Sequence, residues 1–384
     1  MQQIYLDNAA TTAPNPLVLE AMQPYLSSVY GNPSSVHQTG QAAKMAVENA
    51  RAQVAEAIGA AASEIVFTGG GTEADFLALL GVLRASEGRH VVTTAIEHHA
   101  VLHTCELLEE MGYEVSVVLP DSSGIVDEDA VLAAVRPDTA LVSVMWVNNE
   151  TGAIQPVAEL ATRLAERGIP LHSDAVQALG PLPIDVSSIP VSLLSFSGHK
   201  IFGPKGVGAL YLRKGTPFRS IIRGGGQERN RRAGTENVAS IVGFAKAVEL
   251  LLAERDKRNT HLLALRERFL AGLSRNVEEW RLNSPERAIK QICNVLFPGV
   301  LNENLLMLLD LAGIAASGGS ACTAGSVLPS HVLRAMGLSE DDARSSVRFS
   351  FSSFNTFAEV DRAVAQTADA VSRLRAADAG ALKR

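Results

Sequence analysis

The sequence has little of what marks several large classes of protein. Its 384 residues include three cysteines, an odd and small number that argues against a disulfide framework. The formal net charge is −7, which disfavours a nucleic-acid partner because phosphate backbones are bound by basic surfaces. The best candidate for a membrane span, residues 304–316, is too short and contains Asp310. The N-terminus lacks the basic and apolar regions of a signal peptide, so we expect a cytoplasmic protein with free thiols and neither a membrane nor a direct nucleic-acid partner.

What the sequence does contain is an alternation of short β-branched runs with longer helical patterns. With 47% hydrophobic and 20% charged residues, the chain is typical of a globular protein long enough for two domains. Seven runs predict buried strands, at 64–68, 90–94, 114–118, 140–147, 169–174, 191–197 and 206–213. Helical patterns lie between them, which predicts an α/β fold with a mostly parallel sheet covered by helices on both faces. In such folds the ligand binds beyond the carboxyl ends of the strands.

The pattern changes near residue 235. A long helical region over 236–275 is followed by shorter elements, predicted as strands at 292–297 and 346–351 and helices at 302–312, 329–336 and 356–375. This order predicts a smaller α+β lobe. We therefore expect a large domain over residues 14–258 and a small domain formed by residues 1–13 and 259–384.

Polar residues follow the predicted strands and should meet at one edge of the sheet. They are, in chain order, Gly71 and Thr72, His98, Asn148 and Asn149, Asp174 and Gln177, and Ser197, His199 and Lys200. Because the carboxyl ends of parallel strands share an edge, one ligand could contact all of them.

The chemistry of these groups indicates a particular coenzyme. The glycine turn at Gly71–Thr72 enters a helix and suits a phosphate, with Ser197 and His199 as further donors. Asp174 leaves an apolar strand and needs a cationic partner, such as a protonated pyridine nitrogen. Lys200 could form a Schiff base with an aldehyde. Phosphate, pyridinium and aldehyde together specify pyridoxal 5′-phosphate.

Each element also has a plainer interpretation. Glycine turns before helices are common, Lys200 alone could be solvated, and Asp174 alone could cap a helix. His99 and His103 have the spacing of a zinc pair, but no third ligand follows at metal-site spacing, so surface histidines of a helix are favoured. The conjunction of several such groups on successive strand ends is what favours the coenzyme.

One cysteine lies in an unusual setting. Cys322 falls in the run SGGSACTAGS (317–326), which has no apolar face and predicts a mobile loop rather than a packed element. Cys105 lies in an amphipathic helical pattern and Cys293 begins a predicted buried strand, so both are expected in the core. A thiol in such a loop is expected to be reactive, and an incidental surface thiol is the alternative.

Eight motifs together resemble those of the cysteine desulfurases of the NifS/IscS type, which are class V aminotransferase-like, fold-type I pyridoxal phosphate enzymes. The motifs are YLDNAATT (5–12), GNPSSVH (31–37), EIVFTGGGTEAD (64–75), VNNETG (147–152), HSDAVQ (172–177), SFSGHKIFGPKGVGALY (195–211), RRAGTEN (231–237) and GGSACTAGSVLPSHVLRAMG (318–337). The resemblance covers residues 4 to about 360 and implies a fold-type I architecture, with a seven-stranded sheet in the large domain.

The resemblance implies roles for the coenzyme-binding residues. Lys200 would carry the coenzyme as a Schiff base, Asp174 would pair with the pyridine nitrogen and Gln177 would bond the phenolic oxygen. His98 would stack on the ring and help to move protons. The phosphate would be held by Gly71, Thr72, Ser197 and His199, with Thr235 reaching across from the other subunit of a homodimer.

The resemblance also implies the reaction. Asn149 and Arg348 would bind the carboxylate of substrate L-cysteine, and Lys200 would remove its α-proton. Cys322 would attack the substrate sulfur, release alanine and retain a persulfide. The predicted loop would let Cys322 deliver sulfur to an iron–sulfur scaffold protein or to a carrier for tRNA thiolation. No metal ion of its own is expected, although Cys322 could share a cluster with a scaffold.

Four positions depart from the family pattern. Phe76 replaces a usual Asn, Gly318 replaces a usual Ser and Leu328 replaces a usual Glu. Phe351 lies in the segment after Arg348, which also differs from the family pattern. We expect Gly318 to loosen the loop, Leu328 to affect the docking partner and Phe351 to affect packing near the carboxylate site.

Three other functions are compatible with parts of the pattern. A selenocysteine lyase or a class V aminotransferase would share the coenzyme site, but an aminotransferase would not need Cys322. A non-catalytic subunit of iron–sulfur assembly would be expected to lack Lys200 or Cys322, and both are present.

Overall fold

The computed structural model describes residues 3–319 and 329–381, with side chains up to residue 377. Its strands are β1 (Ile4–Tyr5), β2 (Ile65–Thr68), β3 (His90–Thr94), β4 (Glu114–Val118), β5 (Thr139–Ser143), β6 (Leu171–Asp174), β7 (Leu193–Ser197), β8 (Gly208–Leu212), β9 (Arg281–Leu282), β10 (Ile292–Leu296), β11 (Ile314–Ala315) and β12 (Ser346–Ser350). Its helices are α1 (Pro16–Ser27), α2 (Gln38–Ala57), α3 (Gly71–Leu83), α4 (His99–Glu110), α5 (Glu128–Ala133), α6 (Val157–Ala165), α7 (Gln227–Asn230), α8 (Val238–Ala253), α9 (Arg255–Asn276), α10 (Asn302–Leu311), α11 (His331–Ala335), α12 (Glu340–Arg344) and α13 (Phe357–Ala381).

A seven-stranded sheet forms the centre of the larger part, in the order β2-β8-β7-β6-β5-β3-β4. Strand β8 is antiparallel to both of its neighbours, and the remaining pairs are parallel. Neighbouring residues of one strand pack on opposite faces: Val91 contacts the cluster that contains α3 and α4, and Val92 contacts the cluster that contains α2 and α8. The predicted α/β fold, with a mostly parallel sheet covered on both faces, is therefore confirmed.

Three details of the sequence prediction were wrong. Strand β4 is not buried, because it lies at the edge of the sheet and leaves Val117 53% exposed. The strand predicted over 140–147 ends at Ser143, and the buried residues that follow leave the sheet to line the site. The long helical region is two helices, α8 and α9, separated at Glu254, whose φ of −113° is not helical.

The smaller part has the predicted α+β character. Strands β9, β10 and β12 form an antiparallel sheet in the order β12-β10-β9, and β1 pairs in parallel with β11. A separate apolar core lies between this sheet and helices α9 and α13, where the rings of Phe269 and Phe349 are 4.8 Å apart. The exact division into domains stays a prediction. In the described ranges, no helix combines the length and apolar character needed to cross a membrane.

Candidate active site

A cavity of about 180 Å³ lies at the carboxyl edge of the large sheet. It is lined by ten of the predicted site residues, namely Gly71, Thr72, His98, Asn149, Asp174, Gln177, Ser197, His199, Lys200 and Arg348. The expectation that these strand ends converge at one edge of the sheet is confirmed. The individual roles of these residues are still predictions.

Lys200 is positioned by a single 3₁₀ turn, Gly198–Lys200, which follows directly from β7. Its amine, Nζ, donates hydrogen bonds to the carbonyl oxygens of Ala9 and Ala10, each at 2.7 Å. The N-terminal segment therefore lies against the cavity and sets the direction of the amine.

Asp174 ends β6, and its carboxylate lies in the cavity wall. Its Oδ1 accepts a hydrogen bond from the backbone N–H of Val176 at 2.9 Å. Burial, followed by the nearby carboxylate of Asp75, raises the pKa of Asp174 to about 7. A cation bound against Asp174 would reverse this effect and hold the carboxylate ionised. Gln177 donates from Nε2 to the carbonyl of Ala9 at 2.9 Å.

The N-terminus of α3 points at the same cavity. Gly70 precedes it and supplies no side chain to cap the first turn, so the free backbone N–H groups suit an anion. At Gly71 a Cβ atom would lie 2.8 Å from Cγ2 of Val176, so glycine is required for the close approach. His199 contacts Oγ1 of Thr11 through Nδ1 at 3.1 Å. Burial, followed by the charge of Lys200, lowers the pKa of His199 to about 4, so the ring is neutral at neutral pH.

His98 caps the N-terminus of α4, where its Nδ1 accepts a hydrogen bond from the N–H of Ala100 at 3.0 Å. Burial, followed by the charge of Lys200, lowers the pKa of His98 to about 4. The ring is therefore neutral at neutral pH, and with Nδ1 as acceptor its proton is on Nε2.

A second group of histidines lies beside the cavity. The ring of His99 is 5.0 Å from that of His103 and 4.7 Å from that of His331, which begins α11. His331 Nε2 bonds the carbonyl of Glu97 at 2.9 Å. Among the residues that the structure describes, no cluster of potential ligands has a geometry that could hold a metal ion.

Arg348 also lines the cavity. It is 1% exposed, and its guanidinium donates to Oδ1 of Asp7 and to the carbonyl of Asn149, each at 2.8 Å. A planar, buried guanidinium is suited to a carboxylate. Phe351, expected to affect this site, packs instead in the small core, 5.4 Å from the ring of Phe269.

Four acidic residues at or near the site were not assigned a role from the sequence, and three of them are buried. Asp75, one helical turn after Thr72, lines the cavity, and burial raises its pKa to about 7. Glu97 is fully buried, with its pKa raised to about 8 mainly by burial. Asp7 lies in the motif YLDNAATT, and Glu150 lies in the motif VNNETG, so the motifs contained a signal for both residues.

Three predicted residues, Asn148, Thr235 and Cys322, are not among those that line the cavity. Asn148 is fully buried, and its Nδ2 donates to the carbonyl of Ile96 at 3.0 Å. Thr235 is exposed, just after Gly234 with φ +116°, as its expected role in a partner subunit would allow. Cys322 lies outside the described residues, as does Leu328. Cys105 and Cys293 are buried free thiols in the core, as predicted. Burial raises their pKa values to about 12 and about 11, so neither forms a thiolate at neutral pH.

These groups fit pyridoxal 5′-phosphate. The uncapped first turn of α3 matches a phosphate, and the buried carboxyl of Asp174, with its raised pKa, matches a pyridinium. The amine of Lys200 lies in the same cavity and matches an aldehyde. This set of groups at the carboxyl edge of an α/β sheet is typical of a pyridoxal phosphate-dependent enzyme, a class that acts on compounds with amino groups.

Comparison with known proteins gives the family. Residues 4–363 match the model of the class-V aminotransferases, and the chain belongs to this family. It is 49% identical over 378 residues to the putative cysteine desulfurase IscS 1 of Bacillus subtilis, a match that covers 97% of this chain and all of that protein. It is 44% identical over 378 residues to the cysteine desulfurase NifS of Azotobacter vinelandii, covering 98% of this chain and 94% of that one.

Solved structures agree with this assignment. The structure of a NifS-like protein superposes with a TM-score of 0.91 at 38% identity, covering 97% of this chain and all of that one. A structure named SspA in complex with cysteine has a TM-score of 0.81 at 37% identity, covering 92% and 100% of the two chains. The fold is that of the fold-type I enzymes, and pyridoxal 5′-phosphate is the cofactor of the chain.

Proposed function

We propose that this protein is a pyridoxal phosphate-dependent cysteine desulfurase, which converts L-cysteine to L-alanine and retains the sulfur as a persulfide on Cys322. The observation that carries the proposal is the presence of the Lys200 amine and the Arg348 guanidinium in one cavity. The relatives named above, cysteine desulfurases at 44–49% identity over almost the whole chain, support the same reaction. The similar SspA structure contains cysteine, which supports the substrate.

Seven residues, counting Gly71 and Thr72 of the first turn of α3, would hold the coenzyme through its phosphate and ring. The phosphate would contact the first turn of α3 together with Ser197 and His199, and the ring would lie between His98 and the pair Asp174 and Gln177. When bound, pyridoxal phosphate supplies an aldehyde that condenses with an amine and a protonated ring that withdraws electrons from the α-carbon. Asp174 stabilises that ring proton with its negative charge.

The substrate is oriented from its carboxylate. Arg348 binds the carboxylate. Its two hydrogen bonds, to Asp7 and to the carbonyl of Asn149, fix the orientation of the guanidinium. Lys200 Nζ takes the α-proton of the substrate and later returns it. His98 is neutral, so its Nε2–H can donate a hydrogen bond within the site without adding a charge.

Sulfur transfer balances without an outside oxidant. The thiolate of Cys322 attacks the sulfur of L-cysteine, so that an S–S bond forms as the Cβ–S bond breaks. The electron pair of the broken bond stays with the carbon skeleton, which takes up a proton at Cβ and leaves as L-alanine. Cys322 is the thiol for this step because Cys105 and Cys293 are buried with raised pKa values.

The persulfide then needs an acceptor. We propose a cytoplasmic homodimer that passes sulfur from Cys322 to an iron–sulfur scaffold or a sulfur carrier, with Thr235 contributing to the phosphate site of the partner subunit. The names of the relatives do not favour a selenocysteine lyase, an aminotransferase or a non-catalytic subunit.

Mass spectrometry of the intact holoenzyme after addition of L-cysteine tests the proposal. We expect an adduct of about 32 Da, the mass of one sulfur atom, located at Cys322 and removed by dithiothreitol, which separates it from addition of two oxygen atoms. One alanine should be released for each adduct. Cys322→Ser should bind the coenzyme normally but form neither product. Alanine release by Cys322→Ser at the wild-type rate would disprove the assignment of the thiol.

A further inference from the structure

Glu150 is a buried carboxylate that the mechanism above does not use. It is 0% exposed and follows Asn149, which lines the cavity. Its Oε2 accepts a hydrogen bond from the hydroxyl of Ser330 at 2.5 Å. Its Oε1 is buried and has no hydrogen-bond partner among the described residues. Such a group is costly to bury, so its retention calls for a specific purpose.

Glu150 lies near the chain on both sides of the segment that contains Cys322, and it is hydrogen-bonded to the residue on the far side, Ser330. Gly319 is the last described residue before that segment, and Ser330 follows soon after it. Gly319 has a φ of +138°, and a Cβ atom there would lie 3.0 Å from Oε2 of Glu150, so only glycine fits without a shift. Ser330 caps α11 by accepting from the N–H of Leu333 at 3.1 Å. The carboxylate of Glu150 therefore holds Ser330 by a hydrogen bond and lies close to Gly319.

Glu150 is also connected to Arg348 through its chain neighbour, Asn149. The carbonyl of its neighbour Asn149 accepts from the guanidinium of Arg348. The backbone of Arg348 in turn pairs with Ser317, whose N–H donates to the carbonyl of Arg348 at 3.2 Å and whose carbonyl accepts from its N–H at 2.6 Å. The start of the cysteine segment is thus attached to the strand that carries Arg348, and its end is attached to Glu150.

We propose that Glu150 is a positioning residue that anchors the end of the cysteine segment at Ser330, so that this end, like the start of the segment at Ser317, is fixed relative to the substrate-binding residues Asn149 and Arg348. Fixed ends limit the volume that Cys322 can sample and so raise its effective concentration at the substrate sulfur. This inference depends on the proposed function only in naming Cys322 as the sulfur acceptor. Glu150 is not among the residues that line the cavity and acts through Ser330.

Single-turnover measurements on the holoenzyme separate this role from substrate binding. In Glu150→Ala, the absorbance change on mixing with L-cysteine should keep its wild-type rate and concentration dependence. The rate of sulfur transfer to Cys322, measured by acid quench and mass spectrometry, should fall by about tenfold or more. Glu150→Gln keeps an oxygen that can accept from Ser330, so it should stay within about threefold of wild type. Ser330→Ala should slow transfer as Glu150→Ala does. Glu166→Ala, at an exposed position, is the matched control.

Each possible outcome bears on the proposal. Wild-type transfer rates in Glu150→Ala or Ser330→Ala would overturn it, as would an equal loss in Glu150→Gln and Glu150→Ala. If Glu150→Ala does not fold, Ser330→Ala alone decides, because it removes the same hydrogen bond and leaves the buried carboxylate in place. Failure of the proposed function looks different, since wild type itself would then form no adduct at Cys322.

Discussion

The carboxylate of Asp7 lies 2.8 Å from the guanidinium of Arg348, although 341 positions separate the two residues. Arg348 is almost fully buried, and Asp7 is partly exposed at the cavity end of the N-terminal segment. The pair joins the N-terminal segment to β12 and orients the guanidinium before any substrate arrives. Substrate binding therefore does not have to order this side chain.

Replacing Arg348 by lysine tests this arrangement. A lysine keeps the charge but cannot hold Asp7, the Asn149 carbonyl and a substrate carboxylate in one plane. We expect Arg348→Lys to raise KM for L-cysteine by about tenfold to a hundredfold, with the absorbance of the bound coenzyme unchanged. Arg268→Lys is the control, since Arg268 forms an exposed ion pair with Asp361 at 2.6 Å. An unchanged KM in Arg348→Lys would contradict its role.

Two roles are implied for His98, stacking and proton transfer, and a phenylalanine separates them. His98→Phe keeps a flat ring against the coenzyme but removes Nε2–H, so we expect near-normal coenzyme affinity and a kcat reduced by about a hundredfold. The substitution also removes the cap of α4, at a cost of about 1 kcal/mol. His98→Asn keeps a capping side chain and serves as the control for stability. Normal turnover in His98→Phe would assign the residue to stacking alone.

Glu97 gives a dependence of stability on pH. The folded state keeps its proton up to about pH 8, whereas the unfolded chain releases it near the ordinary value of 4.5. The stabilisation that the folded state gains by keeping the Glu97 proton is therefore fully present below pH 4.5, and it is lost as the pH rises towards 8. Gln resembles the protonated acid and keeps the acceptor for Thr94 and the Met145 N–H. We expect Glu97→Gln to gain stability over wild type between pH 5 and pH 8, on the order of 2 kcal/mol.

Thermal unfolding of both proteins across this pH range measures the effect. Glu106→Gln, at an exposed position of α4, should follow wild type at every pH. Parallel curves for Glu97→Gln and wild type would mean that Glu97 is already ionised in the folded protein.

Mixed dimers test the proposed role of Thr235 in the partner subunit. Lys200→Ala and Thr235→Val should each be impaired when alone. In a dimer that contains one chain of each kind, one site carries both defects and the other carries neither. We therefore expect mixing, after dissociation and reassociation, to restore up to about half of the wild-type activity per mixed dimer. If Thr235 acted on its own chain, both sites would stay impaired and mixing would restore nothing.

The site was predictable from the sequence where position along a strand decides it. Asp174 and Lys200 each follow an apolar run, and in a parallel sheet that alone brings them to the same edge. Glu97 and Glu150 could not be found in this way, because only the packing of other elements around them makes them buried. The bond between Asp7 and Arg348 depends on the bridge between Asp7, which follows β1, and Ser350 at the end of β12, a pairing that no local pattern encodes.

Two local predictions show the same limit. Gly318 was expected to loosen the cysteine loop, yet a Cβ there would lie 3.0 Å from Nδ2 of Asn302, so its small size also serves a close contact. The edge position of β4 depended on the order of strands, since its apolar residues resemble those of the central strands. Sequence periodicity reports which residues avoid water but not which neighbour covers them.

The bonds from Lys200 to the carbonyls of Ala9 and Ala10 have a consequence for biosynthesis. The residues that carry those carbonyls leave the ribosome first, and Lys200 follows near the middle of the chain. The Lys200 amine can therefore form both hydrogen bonds while translation continues. Arg348 emerges much later. In the growing chain, the Lys200 amine can therefore meet its two acceptors before Arg348 has been synthesised.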